Sequence, residues 1–368
     1  MLKVLIVFNH PAPYKVRLFN ELAKHIDLTV IFERNKAKNR NPGFYEEKKY
    51  QFKTIKIHGI KIGKENIVSS GIKKHIKHNK YDLVIMNGYS TFAEMKAINY
   101  LIKHNLPYVL YINGGIISKS ESKFKRNLKR KFISNASDYL SPDSSSNEFL
   151  KFYGANEERI FNYPYSTIYE KEILSSPLSI EEKQSLKEKL GIKEDKVFVS
   201  CGQLIPRKNY LNLVKKWNEI RCKHGLYIIG DGPEKKTIEQ YIKSDNMDNV
   251  HLLDYMRHER LFEFFRACDC FIFPSREDIY GHVINEALSQ GLPVISTDKV
   301  NASKKLIKNG YNGYLLNDIE AQDLEKMIKD VISNDFIKNA IATARDNTIE
   351  LMAKAHLDIF ERILKKWT

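Results

Sequence analysis

Asp278, Gly281 and Glu286 stand at a spacing that can hold a nucleotide. The apolar run Phe271–Phe273 reads as a strand and Pro274-Ser275 as a turn. The amphipathic segment that follows carries Glu286 one to two turns into a helix whose amino end opens at Gly281. Amide N–H groups at a helix start lack partners inside the helix and carry the positive end of its dipole, so an anion can dock there. Glu286, deeper on the same face, can accept hydrogen bonds from two neighbouring hydroxyls. Phosphate at the amides and ribose at the carboxylate make a nucleotide site. A second constellation is Gly202-Gln203-Leu204-Ile205-Pro206-Arg207-Lys208-Asn209, after the strand Val197–Cys201 and ahead of a helix. Arg207 and Lys208 then stand at a strand's carboxyl end, where open parallel sheets bind ligands. Two fixed cations there stabilise the charge that grows on a departing diphosphate more than the charge present before departure. Taken alone, the pair also reads as a solvated basic turn.

The stretch from Asp278 through Gly281 to Glu286 resembles the donor-binding signature of retaining glycosyltransferases of the GT-B fold, glycosyltransferase family four (glycosyl transferases group 1). That pattern has an acid, seven residues, then Glu, with Gly three places after the first acid. The first acid is Asp here where the family usually has Glu, and Glu277 lies one place out of register. The resemblance places the diphosphate-binding lysine on Lys208. The family's common Arg after the Gly is Gln203 here, with Arg207 as the residue that can replace its charge. It runs with specific motifs over Val197–Gly313 and more loosely before that.

It implies a retaining, metal-independent transfer of a hexosyl or N-acetylhexosaminyl group from a nucleotide-diphosphate sugar, a UDP-sugar first among them. The acceptor implied is a hydroxyl of a growing, lipid-linked cell-surface glycan such as lipopolysaccharide or capsule. No cofactor is expected, because the nucleotide sugar is a substrate. The implied mechanism is front-face displacement, in which the leaving phosphate takes the acceptor proton. A nucleotide-sugar epimerase on the same fold is one rival and needs no acceptor. A non-enzymatic two-domain binding protein is another, and it would release no nucleoside diphosphate.

Further turns complete the expected donor site. Leu226–Ile229 runs into Gly230-Asp231-Gly232-Pro233, whose backbone shapes the site. After the strand Val250–Leu253, the loop with Tyr255 and Met256 is expected at the base. His282 and Val283 contribute backbone N–H groups, and the His282 imidazole reads equally as a surface or capping group. Asn309–Tyr314 is read as a structural turn. In the first half, His10 follows the carboxyl end of a strand and so faces the expected cleft, as do Asn113 and Gly114 after Ile112. These three are the acceptor-side candidates. Pro13 suits a helix start.

The elements that must position these residues alternate between strand and helix, which means parallel, doubly wound sheets. In the first half strands are expected at Leu2–Phe8, Leu28–Phe32, Thr54–Ile60, Leu83–Met86, Val109–Ile112 and Tyr139–Ser141. Helices are expected at Tyr14–His25, Gly71–Asn79, Thr91–His104, Lys123–Ser134 and Ser144–Tyr153, with a polar loop over Arg34–Gln51. The pattern breaks near Tyr163-Pro164-Tyr165 and resumes with a charged helix, Leu178–Leu190. The expected organisation is two Rossmann-like domains facing across a cleft. Residues 1–165 bind the acceptor and 166–348 the nucleotide sugar, while a helix in 349–368 packs back on the first domain.

A chain of 368 residues with 42% hydrophobic content suffices for two such cores. Apolar runs stop at strand length, short of the ~20 residues a membrane span needs. No secretory leader is evident, so a cytoplasmic protein is expected. Four Cys give no disulfide framework and no metal-ligand spacing. Charge is uneven: Met1–Tyr165 holds 29 Lys and Arg against 14 Asp and Glu, whereas the remainder holds 31 of each. The first half therefore faces something anionic. Lys123–Ile133 interleaves cations with apolar residues at helical spacing, which suits an anionic membrane surface and equally a solvated face. No helix-turn-helix, zinc or RNA-binding signature appears, which sets nucleic acid aside.

Overall fold

The computed structural model describes residues 1–36, 45, 49–57, 59–62, 66–69, 71–115, 117–118 and 120–367. These form two compact units, Met1–Tyr165 with Ile349–Thr368, and Ser166–Thr348.

In the first unit the strands are β1 (Lys3–Phe8), β2 (Asp27–Phe32), β3 (Lys53–Lys56), the small antiparallel pair β4 (Ile60–Ile62) and β5 (Asn66–Val68), β6 (Leu83–Met86), β7 (Val109–Tyr111), β8 (Asp138–Ser141) and β9 (Ile160–Asn162). The helices are α1 (Pro13–Ala23), α2 (Gly71–His78), α3 (Phe92–Lys103), α4 (Lys123–Ser134) and α5 (Ser144–Phe152). Seven strands make one parallel sheet in the order β3-β2-β1-β6-β7-β8-β9. Val4–Phe8 are all buried, as expected of a central parallel strand covered on both faces. On one face Leu5, Val7, Met86 and Leu110 pack with Ile72 and Ile76 of α2, Ala97, Ile98 and Leu101 of α3, and Phe132 and Ile133 of α4.

The second unit carries β10 (Val197–Cys201), β11 (Gly225–Ile229), β12 (Val250–Leu253), β13 (Cys270–Phe273), β14 (Val294–Thr297) and β15 (Gly313–Leu316). Its helices are α6 (Ile180–Leu190), α7 (Tyr210–Glu219), α8 (Lys235–Ser244), α9 (His258–Ala267), α10 (Val283–Ser289), α11 (Asn301–Leu306), α12 (Ala321–Ser333) and α13 (Ile337–Arg345). The sheet is parallel with order β12-β11-β10-β13-β14-β15. Phe198, Leu213, Trp217, Leu226, Ile228 and Ile272 lie at the centre of its core.

The last helix, α14 (Ile349–Trp367), belongs to the first unit and packs on α1. Trp367 Nε1 donates to Asp138 Oδ2 at 2.9 Å, and Arg362 and Lys366 lie over the Phe161 ring at 5.1 and 5.2 Å.

Both sheets are the expected Rossmann type, with local differences. β9 and β15 were not foreseen as strands. The first is three residues between a tight turn and Tyr163-Pro164, too short for alternation to show. The second begins inside the stretch read as a turn, because Gly313 starts an edge strand paired with Val294. The loop expected over Arg34–Gln51 lies largely outside the described residues. Each sheet reverses its strand order beside its first strand, between β1 and β6 and between β10 and β13. Crevices at such switch points, outside the carboxyl ends of the strands, are where open α/β sheets hold ligands.

Candidate functional site

The switch point of the second sheet brings together the loops after β10 and β13. After Cys201 the chain turns at Gly202 and runs through a single 3-10 turn, Pro206–Lys208, to Asn209, whose φ of 63° starts α7. Lys208 is buried at 7% exposure. Its Nζ pairs with Asp278 Oδ2 and lies 4.4 Å from the centroid of the Phe273 ring. Burial pushes the Lys208 pKa down, against the opposing pull of Asp278. Arg207 Nη1 donates to the Glu277 carbonyl at 2.8 Å and stands 4.0 Å from Asp278 Oδ1. Asp278 therefore sits between the two cations that sequence reasoning assigned to the diphosphate.

The loops are stitched by one backbone and two hydroxyl hydrogen bonds to their carbonyls. Arg276 N–H donates to the Arg207 carbonyl at 2.9 Å, Ser275 Oγ donates to the Glu277 carbonyl at 2.9 Å, and Thr297 Oγ1 donates to the Ser275 carbonyl. None of Ser275, Thr297 or Phe273 was singled out from sequence. Ser275 is part of a common Pro-Ser turn, and Phe273 reads as plain core.

The helix start differs from expectation. Gly281 lies outside α10 with φ of 98°, and the helix begins at Val283 and has seven residues. A Cβ at Gly281 would meet Val300 Cγ1 at 2.5 Å, so both the positive φ and the close approach require glycine. The Ile284 N–H is already taken by the Gly281 carbonyl at 3.0 Å. Ile284 therefore drops out of the run of open amides expected from Gly281 onward. The His282 ring sits 5.0 Å from that of buried Tyr280.

Glu286 lies on α10, half-buried, and its Oε1 accepts from Thr167 Oγ1 at 2.9 Å. Thr167 is 119 residues away in sequence and belongs to no motif, so only the fold reveals it. Next to Glu286, Asn285 is fully buried, and its amide donates to Ser166 Oγ at 3.1 Å and the Asn347 carbonyl at 2.8 Å. This ties α10 to both ends of the unit. Cys201 feels both the Glu286 carboxylate and the Lys208 ammonium, and burial pushes its thiol up to about 12. Lys208, Asp278 and Glu286 are thus gathered around the end of β10.

Of the remaining donor-side candidates, Gly202 and Gly230 are in backbone contact. The Gly202 N–H donates to the Ile229 carbonyl at 3.0 Å, and a Cβ at Gly230, φ 154°, would lie 1.9 Å from the Gly202 carbonyl oxygen. Asp231 turns its carboxylate back onto the Gly232 N–H at 2.8 Å, while its carbonyl accepts from Leu204 N–H at 2.9 Å. That fixes the loop carrying half-buried Gln203. Tyr255 is exposed and Met256 half-buried, and neighbouring Asp254 pairs with Lys235 at 2.5 Å.

In the first unit, His10 follows β1 at the switch point, and its Nδ1 is 3.3 Å from Tyr45 Oη. Asn113 is held from two sides: Nδ2 donates to Asn87 Oδ1 at 2.8 Å, and Oδ1 accepts from Tyr165 Oη at 3.1 Å. Gly114 follows with φ of 141°. Two features escaped sequence reasoning. Glu33 and Glu94 are both buried; Thr91 Oγ1 donates to Glu33 at 2.6 Å, and Glu94 caps α3 through the Ser90 and Thr91 N–H groups. Burial, then the neighbouring Glu33, pushes Glu94 up to about 8. The second is Lys15, wholly buried among aromatic rings with Nζ donating to Tyr111 Oη at 2.5 Å.

Residues 182–348 match the model of the family described as glycosyl transferases group 1. The chain carries a glycosyl transferases group 1 domain. This domain fills nearly all of the second unit and contains every donor-side candidate drawn from the sequence, while Thr167 lies just ahead of it. An uncharacterized glycosyltransferase of Methanocaldococcus jannaschii is 29% identical over 140 residues, which is 38% of this chain and 39% of the relative. The alpha-monoglucosyldiacylglycerol synthase of Acholeplasma laidlawii is 27% identical over 212 residues, 53% of this chain and 52% of that enzyme. The chain spans two fifths or less of the length of the first three curated relatives it matches. Among solved structures, HepE of Anabaena in complex with UDP superposes with a TM-score of 0.77 at 18% identity, covering 100% of this chain and 99% of that one. A glycosyltransferase from Rickettsia africae gives 0.78 at 15% identity, covering 99% of each. Over the whole chain, the fold around the group 1 domain is GT-B.

Proposed function

We propose that the protein is a retaining glycosyltransferase that moves a hexosyl or N-acetylhexosaminyl group from a nucleoside diphosphate sugar to a hydroxyl acceptor. The observation that carries this reading is the gathering of Lys208, Asp278 and Glu286 at the switch point of a group 1 domain. In it Lys208 and Arg207 hold the diphosphate and supply the positive charge that a departing phosphate needs. Glu286 clasps the ribose hydroxyls, oriented by Thr167. Asp278 and the backbone before Ile284 face the sugar. The leaving phosphate oxygen takes the acceptor proton as the new glycosidic bond forms on the face the diphosphate leaves. UDP is the favoured nucleotide, since HepE was solved with UDP and with UDP-glucose.

The acceptor is a lipid or lipid-linked glycan, met by the first unit through His10, Asn113 and Gly114. Relatives whose names include diacylglycerol, lipopolysaccharide core and diphospho-undecaprenol support this class. So does α4, where Phe124 is 77% exposed among exposed Lys123, Lys125 and Arg126. An aromatic ring among cations suits an anionic lipid surface, and no helix among the described residues is long and apolar enough to cross a membrane. We place the protein peripherally on such a surface. Sedimentation with phosphatidylglycerol vesicles should fall several-fold on Phe124→Ser with Lys125→Glu.

The test of the reaction is nucleoside diphosphate release from a panel of UDP- and GDP-sugars with lipid-linked acceptors. Glu286→Ala and Lys208→Ala are each expected to lower kcat/KM by roughly 10²–10³. Unchanged turnover in both variants would end the assignment.

A further inference from the structure

Lys208 holds an ammonium that its surroundings cannot leave uncompensated. It is 7% exposed, an aromatic ring closes one side at 4.4 Å, and Asp278 supplies the counter-charge. The other carboxylate oxygen of Asp278 faces Arg207 Nη1 at 4.0 Å. The carboxylate thus occupies the position between the two cations that, under the proposed function, receives the diphosphate. A carboxylate and a diphosphate cannot both hold these cations at close range, because like charges side by side repel. The backbone at this point is pinned. Asp278 bridges to Val300, and the neighbouring Glu277 carbonyl is held by Arg207 Nη1 and Ser275 Oγ. When a diphosphate arrives, the Asp278 side chain is what must move.

What it moves toward depends on the ligand. An intact donor brings sugar hydroxyls, which can donate to the displaced carboxylate. The nucleoside diphosphate left after transfer has lost the transferred sugar's hydroxyls, its ribose being held at Glu286, and the carboxylate then opposes it with no compensating bond. We propose that Asp278 is a displaceable counter-ion that discriminates the intact nucleotide sugar from the nucleoside diphosphate product and so promotes product release. This rests on the donor-site reading above. It gives the shorter acid at this position a role beyond touching the sugar: from Asp278 the carboxylate reaches Lys208 directly.

The experiment is calorimetric titration of the full-length protein with UDP, GDP, UDP-glucose and GDP-mannose, comparing wild type with Asp278→Asn. Asn keeps the shape and one acceptor oxygen but removes the charge. The expected result is a Kd for the nucleoside diphosphate lowered about tenfold, a Kd for the matching nucleotide sugar changed by less than about threefold, and a product-inhibition constant that falls in step. Asp278→Glu, which keeps the charge, should restore weak product binding. Asp278→Ser reads the same contrast should the Asn variant fail to fold. If the wild type binds a nucleoside diphosphate and the uncharged variants bind it equally or more weakly, the inference is overturned while the donor site stands. If the wild type binds none of the four ligands, the donor-site reading is lost and this inference with it.

Discussion

Replacing Lys15 by Met should make the protein more stable. Lys15 lies on α1 with no exposed surface. Its Nζ is 4.1 Å from the centroid of Tyr111 and 4.6 Å from that of Tyr165, with Phe8, Tyr14 and Tyr163 at 5.6, 5.7 and 5.9 Å. No carboxylate joins this cage among the described contacts. The hydrogen bonds run in one direction. His356 Nδ1 lies 2.7 Å from the Met352 carbonyl and must donate to it, which leaves Nε2 to accept from Tyr111 Oη at 3.3 Å. Tyr111 Oη in turn accepts from Lys15. Burial drives the Lys15 pKa well below 10.5 and His356 down to about 3.

Met fills a similar volume without an amine to desolvate. Loss of cation–π attraction costs about 0.5–2 kcal/mol, and relief of the buried polar group returns more. The expected net gain is ~1–3 kcal/mol, or about 2–4 °C in Tm per kcal/mol for a unit of this size. The pH dependence supplies an independent sign. Between the folded pKa and 10.5 the unfolded chain binds a proton at Lys15 that the folded chain does not, so wild-type stability rises with pH across that window. The Met variant should lose that slope. Tyr111→Phe should do the opposite to stability, lowering it by ~1–3 kcal/mol by stranding the Lys15 amine and His356 Nε2. Thermal melts of the full-length protein from pH 7 to 10.5 read all three. A Lys15→Met variant that melts several degrees below wild type would refute the reasoning, because the rings would then be holding an ammonium more strongly than water does.

Glu94→Gln should flatten a different part of the stability profile. With the folded pKa raised to about 8, the folded chain keeps a proton that the unfolded one loses above 4.5, so stability falls as pH rises through that window; a Tm series from pH 5 to 8.5 should lose this decline in the variant. Gly230→Ala places a methyl 1.9 Å from the Gly202 carbonyl oxygen and should cost more than ~3 kcal/mol, seen as loss of soluble protein or of the second unit's melting transition. Asn285→Ala removes two buried hydrogen bonds, to Ser166 and Asn347, and should lower stability by ~1–3 kcal/mol in chemical denaturation.

The two-sheet architecture was legible in the chain, and so was the placement of the candidate residues at the ends of its strands. Central parallel strands are buried on both faces, so Val4–Phe8 and Phe271–Phe273 announce themselves as apolar runs, and the charged turns between them mark the carboxyl rims. Arg207, Lys208, Asp278 and Glu286 could be picked out because spacing along a strand, turn or helix is a local property. What each of them touches could not be. Lys208 meets Asp278 across 70 residues and Glu286 meets Thr167 across 119, and those meetings depend on strand order and loop closure. The close approach that requires glycine at Gly281 depends on Val300 from another loop. In sequence nothing sets Lys15 apart from the other cations of a basic first half. Only the packing of α1 against β7 and α14 turns it into a buried amine, because burial is decided by what covers a side chain and not by its own polarity.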